Sequence, residues 1–482
     1  MQERLLNYMK KISFTLLLTL ASSLIFFAGC KKSETSTEQT QPSGSGSRPL
    51  AGNIQSAEKN SFQEVTSHLD PGGSLYLYFS TEQILNGLSA KASNLRQLLG
   101  ALPNMNDTDR ENIEKGFNIV TNLVKTSGIE DVSGFGLSSI AREKEFYHAK
   151  AMLHHYKGKG SGFLWTLFGQ KSHALDGLNL LSTNAAFAMF YDFDLPMLWN
   201  IIEKQVKESG FAEAEQQLQK LPQQFEGATG LKWDQVINSL GGEYGLVLTL
   251  NDSKKISIPL GSDQPLEIPD PALLLVAKVK DNTIFNRVDE ALKSSGQSVF
   301  RTDEADLKMR TMALPLPLPI QLGPTIATSH GYLFVGSTDL VVKEALAVLA
   351  GKSPGLKSTP EFQRLAKDVP QQGNNFVFLS ERFGNAVREI QAKALSMTHA
   401  SGSQQELLSM FRSEHAPYLF SVGANTDEGW LGISNGNQHP SKLFLAGAIV
   451  PAAVSAAMVL PALAKAKARA QQLQHQSEEE KK

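Results

Sequence analysis

Phe187-Ala188-Met189-Phe190-Tyr191-Asp192-Phe193-Asp194-Leu195-Pro196-Met197-Leu198-Trp199-Asn200-Ile201-Ile202 carries the reading of the fold. Its first five residues form a short apolar run of strand type. Pro196 then stands near the start of a helical pattern, where a missing N–H costs nothing. The same strand-then-helix order recurs four times. Leu75-Tyr76-Leu77-Tyr78-Phe79 precedes residues 81–99, where Ser80 or Thr81 is placed to cap and Ile84, Leu85 and Leu88 mark an apolar face. Leu273-Leu274-Leu275-Val276-Ala277 precedes 283–292, Tyr332-Leu333-Phe334-Val335 precedes 339–349, and Phe376-Val377-Phe378-Leu379 precedes 381–395. This pattern predicts an α+β fold, a mixed or antiparallel sheet with packed helices.

A longer echo suggests two duplicated strand-helix halves, 61–185 and 186–436. A helix, Gly128-Ile129 and Gly134-Phe135-Gly136-Leu137 lead into the strand-like residues 146–156. A second helix, Gly230-Leu231, Gly241-Gly242 and Gly245-Leu246 lead into 246–250 and 273–278. The spacing is irregular, which excludes a solenoid of fixed period. Farther along, Leu314-Pro315-Leu316-Pro317-Leu318-Pro319 and the prolines around 256–271 predict hairpins and loops at a sheet edge.

The flanks differ from this body. Lys10 and Lys11 precede an uncharged run, residues 12–29, that ends Phe27-Ala28-Gly29-Cys30. A basic start, an apolar run and small residues make a secretory signal peptide over 1–29. Ala28-Gly29-Cys30 resembles a bacterial lipobox, which implies cleavage between Gly29 and Cys30 and lipidation of Cys30, the sole cysteine. Phe27 departs from the aliphatic residue usual there. Met9-Lys10-Lys11 is itself a signal-like start. Residues 30–60 are polar and rich in Gly and Ser, the composition of a flexible tether.

Residues 443–464 are uncharged for 22 positions, close to the roughly 20 needed to cross a bilayer core. They form a candidate transmembrane helix, Ala-rich and interrupted by Pro451 and Pro461, with a surface-lying or buried helix as the alternative. Lys465, Lys467 and Arg469 open a charged tail, 465–482. By the positive-inside tendency these cations stay cytoplasmic, leaving the body periplasm-facing. The body, 61–436, has no cysteine and therefore no disulfide or thiolate metal site. With 46 basic against 48 acidic residues the net charge is −2, without the basic excess that tracks a phosphate backbone, so no nucleic acid partner is expected.

Few residues invite chemistry. Asp192 and Asp194, two apart after an apolar run, would point to one side and suit a hard cation, or else end the strand and cap the next helix. His148, Lys150 and His154 share one strand face; Lys150 argues against zinc, and a solvated polar face is the expectation. Ser56-Ala57-Glu58-Lys59 has Ser-x-x-Lys spacing but lies in the tether. Gly158-Lys159-Gly160-Ser161-Gly162 lacks phosphate-loop spacing, and no metalloprotease, nucleophile-elbow or dinucleotide motif is present. No cofactor, metal or catalytic residue is assigned.

Asn184-Ala185-Ala186-Phe187-Ala188-Met189 running into Asp194-Leu195-Pro196-Met197-Leu198-Trp199, with Gly331-Tyr332-Leu333-Phe334-Val335-Gly336-Ser337 and then Val342-Lys343-Glu344-Ala345-Leu346, resembles the DUF3352 family of bacterial envelope proteins of unknown function. The resemblance spans about residues 69–434 and implies an exported, membrane-attached protein. Leu460-Pro461-Ala462-Leu463-Ala464-Lys465-Ala466-Lys467-Ala468 is similar to the end of the apolar helix in type IV pilin-like subunits, whose processing site is missing. The resulting expectation is a membrane-anchored envelope lipoprotein that binds a protein or cell-wall component. The alternatives are an envelope hydrolase using Asp192, Asp194 or the His148 region, and an assembly factor for secretion machinery.

Overall fold

The computed structural model describes residues 60–100, 107–258, 266–313, 322–397 and 416–438. The expected signal peptide with Gly29, Cys30, nearly all of the expected tether, the 443–464 stretch and the tail lie outside them. Thirteen strands make one sheet in which every pairing is antiparallel. In chain order they are β1 (Leu75–Ser80), β2 (Val132–Glu143), β3 (Phe146–His155), β5 (Ala185–Asp192), β6 (Leu240–Ile258), β7 (Leu266–Val279), β8 (Val299–Glu304), β9 (Leu307–Met312), β10 (Thr325–Ser329), β11 (Tyr332–Gly336), β13 (Asn375–Leu379), β14 (Leu419–Thr426) and β15 (Gly429–Gly436). Across the sheet they run β1-β2-β3-β15-β14-β13-β5-β6-β7-β11-β10-β9-β8. The short β4 (His173–Ala174) and β12 (Gln372–Gly373) pair separately.

Each apolar run named above is a strand followed by a helix. The helix does not carry the chain to a parallel neighbour. After β1, β5 and β13 the chain returns as a hairpin whose first strand lies antiparallel beside the strand just left. The units β1-β2-β3, β5-β6-β7 and β13-β14-β15 share this order, and the third lies between the other two. Gly128 and Gly230, the paired glycines of the echo, end the helices Asp107–Ser127 and Ala212–Thr229 in the left-handed region, φ 74° and 71°.

Two local expectations are corrected. The helix expected over 81–99 breaks at Asn86-Gly87 into Glu82–Leu85 and Leu88–Gly100. Thr81 makes no side-chain cap; its hydroxyl donates to Val132 O instead. Pro269 and Pro271 lie within β7, a central strand. They are tolerated because β11 pairs only with Leu274 through Lys278, leaving the proline half of β7 with β6 as its one neighbour.

The main core covers one face of the sheet. Phe190, Leu274, Val276, Phe334, Phe376, Phe378 and Phe420 meet Leu180 and Leu181, the helix Asp339–Leu349 through Val341, Val342 and Ala345, and the helix Pro360–Leu365 through Phe362. Phe190 stacks on Phe376 at 5.0 Å between ring centres. Each such side chain contributes about 1.5–3 kcal/mol by leaving water.

Candidate functional site

The two aspartates separate. Asp194 is the N-cap of the helix Leu195–Ser209, its Oδ1 accepting from Met197 N at 2.8 Å, with Pro196 in the first turn. Asp192, at the end of β5, turns instead to His173 of β4, whose Nε2 lies 3.0 and 2.9 Å from its two oxygens. The expected shared side of Asp192 and Asp194 is therefore overturned. Among the described residues, no three His, Cys, Asp or Glu gather as metal ligands.

Asp192 belongs to a polar row crossing one end of the core face. It is registered opposite Glu243 of β6, and Lys278 of β7 is registered opposite Tyr332 of β11. Lys278 Nζ lies 3.6 Å from Glu243 Oε2, an ion-pair distance too long for a hydrogen bond. Asn374, just before β13, donates through Nδ2 to Asp192 Oδ2 at 3.0 Å and to Lys171 O at 2.8 Å. The β4–β12 pairing brings His173 to this row, because Gly373 is opposite it and Asn374 follows at once.

The electrostatics of the row are unbalanced. Glu243 is 6% exposed, and its Oε2 takes no hydrogen bond among the described residues. Burial pushes its carboxyl above the usual range. Lys278 and His173 oppose the rise, whereas Asp192 and Asp176 add to it. Burial disfavours charge on His173 too. Its bond to Ala174 O and its contact with Asp192 outweigh this and hold it above its ordinary value. Burial, then Glu243, raise the Tyr332 phenol and keep it protonated. A carboxyl inclined to hold a proton thus stands beside a His–Asp pair and a lysine, a set able to exchange protons or to bind a polar ligand.

The His148 region is closed rather than solvated. His148 and His154 are 4% and 1% exposed. The helix Phe62–Thr66 and the residues after it cover this face, with Val65 and Leu69 packed on Met152. Asp70 pairs with Lys150 at 2.7 Å and approaches His148 at 3.5 Å. His148 Nδ1 meets Asn435 Oδ1 at 2.7 Å, and His154 Nδ1 meets Ser133 Oγ at 2.6 Å. Burial holds both imidazoles below their ordinary value, hence neutral near pH 7. The expectation of a solvated face failed because apolar Met152, between the two polar residues, attracts a cover.

No motif in the sequence marks His173, Glu243, Lys278, Tyr332 or Asn374 as a site. Glu243 alone left a local signal, a carboxylate two residues before Gly245 and four before Val247 on the inward side of an apolar strand. No helix among the described residues is long and apolar enough to cross a membrane. No protein family, curated protein or solved structure was found to match the chain. The likeness to DUF3352 rests on the quoted motifs.

Proposed function

We propose that this chain is a membrane-anchored lipoprotein of the bacterial cell envelope whose periplasm-facing body, residues 61–436, binds a protein or cell-wall component without catalysis. The observation that carries the reading is Cys30, a sole cysteine placed directly after Ala28-Gly29 at the end of an uncharged run. In this reading residues 30–60 are the tether and 443–464 form a C-terminal apolar helix that gives a second attachment. The body descends from a duplicated strand-helix unit, and the three strand–helix–hairpin units support that origin. The DUF3352 resemblance agrees with export and attachment. Mass analysis of the mature chain from membranes tests it: a lipidated Cys30 N-terminus is expected, and Cys30→Ser should abolish the lipid. An unmodified Cys30 in a chain released by carbonate washing overturns it.

One observation favours a second reading, an envelope hydrolase. Asp192 is bonded to a histidine beside the buried Glu243, as a proton-transfer pair would be. Asp192→Asn and Glu243→Gln should then each abolish a wall-degrading activity that Asp194→Ala leaves intact. Equal activity in all three ends this reading.

A further inference from the structure

A second site lies at the strand ends of β3 and β14, on the far side of Asn374 from the Glu243 row. A pocket of about 390 Å³ opens there between the loop after β3, the loop after the helix Phe163–Thr166 and the β14–β15 turn. This falls within the range of roughly 300–1,000 Å³ typical of small-molecule sites. It contains the Gly158-Lys159-Gly160 loop, whose sequence had no phosphate-loop spacing.

The walls are prearranged. Asn425, 9% exposed, donates both amide protons to the chain, to Trp165 O at 2.5 Å and Gly169 O at 2.9 Å, while its N–H bonds Asn374 Oδ1 at 2.8 Å. This binds the 163–170 segment to β14. His155, 5% exposed, lies edge-on to Trp165 at 4.5 Å, with Nδ1 2.9 Å from Tyr156 O. Gly160 closes over the ring at φ +81°; a Cβ there would come within 2.4 Å of His155 Nε2. Only glycine fits both that backbone and that space.

The lining decides the ligand class. Lys157 is already paired with Glu428 at 3.3 Å, so it offers little to an anion. Lys159, Asp427 and Gln170 line the same pocket and find no side-chain partner among the described residues. A free cation, a free carboxylate and a free amide together repel neither sign strongly and reward neither. They offer donors and acceptors at once, which suits hydroxyl groups, each both donor and acceptor. A phosphate would meet Asp427, and an apolar ligand would strand all three groups unpaired.

We infer that this pocket binds a neutral saccharide. The inference rests on, and makes specific, the reading of the body as a wall-binding module. The test is ligand-observed NMR titration of the purified full chain in detergent with two disaccharides, one of N-acetylglucosamine and one of glucose. Saturable binding below ~10 mM is expected. Asp427→Ala and Gln170→Ala, both at exposed positions, should each weaken it about tenfold without altering thermal unfolding. Gly160→Ala should abolish it. Preference for the acetamido sugar would identify wall glycan as the source; equal binding would keep the saccharide site and remove the wall assignment. Absence of saturation with either sugar, unchanged binding in Asp427→Ala and Gln170→Ala, or displacement by inorganic phosphate overturns the inference. Membrane attachment is read separately, by Cys30 chemistry, so failure of either claim is visible without the other.

Discussion

Asp289 and Glu243 are carboxylates of nearly equal burial, 7% and 6% exposed, on opposite terms with their surroundings. Asp289, on the helix Thr283–Ser294, receives Arg310 Nε at 2.6 Å and Nη2 at 3.2 Å, Lys293 at 3.1 Å and also Arg301. Arg310 is itself complete, bonding Thr302 O, Met309 O and Asp303 and lying over the Phe285 ring. The Arg310 bond above all, joined by Lys293 and Arg301 against the effect of burial, holds Asp289 far below the carboxylate range. Glu243 has one cation at 3.6 Å and sits above that range. Burial alone therefore does not mark a functional group. A buried charge with every valence met is architecture, and one left short is a candidate for chemistry or binding.

Experiments can break this contrast. Arg310→Ala takes from Asp289 its strongest partner and leaves Lys293 and Arg301, and should cost about 3–5 kcal/mol in denaturant unfolding; a cost under about 1 kcal/mol would mean that Lys293 and Arg301 suffice. Glu243→Gln should do the opposite, raising stability by about 1 kcal/mol at pH 7 because it removes a poorly paired buried charge. The two carboxylates also differ in sign with pH. Asp289 has a depressed folded value, so its contribution is present above the unfolded value near 4 and is lost as pH falls. Glu243 has a raised folded value, so its contribution is present below about 4 and is lost as pH rises. The advantage of Glu243→Gln should accordingly vanish by about pH 4, whereas that of native over Asp289→Asn should shrink there. Unfolding curves at both pH values check this.

Asp194→Ala, which removes a helix cap outside the row, should cost about 1 kcal/mol and leave the His173 titration unmoved. The smallest effect belongs to Asp192→Asn. The pair with His173 is partly open to solvent, so stability should fall by less than about 1 kcal/mol. The His173 titration followed by NMR should nevertheless drop from above its ordinary value, and an unshifted titration would assign its charge to the Ala174 bond instead.

The strands and the helices after them were legible because apolar runs and Pro196 are local signals. The Asp194 cap was legible for the same reason. The halves of the echo were visible in Gly128 and Gly230; of the third unit the sequence marked β13 and the helix after it, but not the β14–β15 hairpin. The fate of the histidines was hidden by distance: the 61–70 segment, more than 75 residues away in sequence from the nearer of them, covers their face at Met152, and Asn435, bonded to Leu365 O and Lys367 O, holds His148.

By itself the sequence determined the α+β class, the strands of its five apolar runs and the absence of disulfides in the body. These depend on composition and on residues within a few positions of one another. Only the tertiary structure decided that all thirteen strands join one antiparallel sheet, that Asp192 faces His173 rather than Asp194, and that Glu243 lies buried beside a single distant lysine. Those outcomes depend on strand register, which brings together side chains from 19 positions apart, as in Asp192 and His173, to 287, as in His148 and Asn435, and assigns each a share of water, charge and hydrogen bonds that no local pattern encodes.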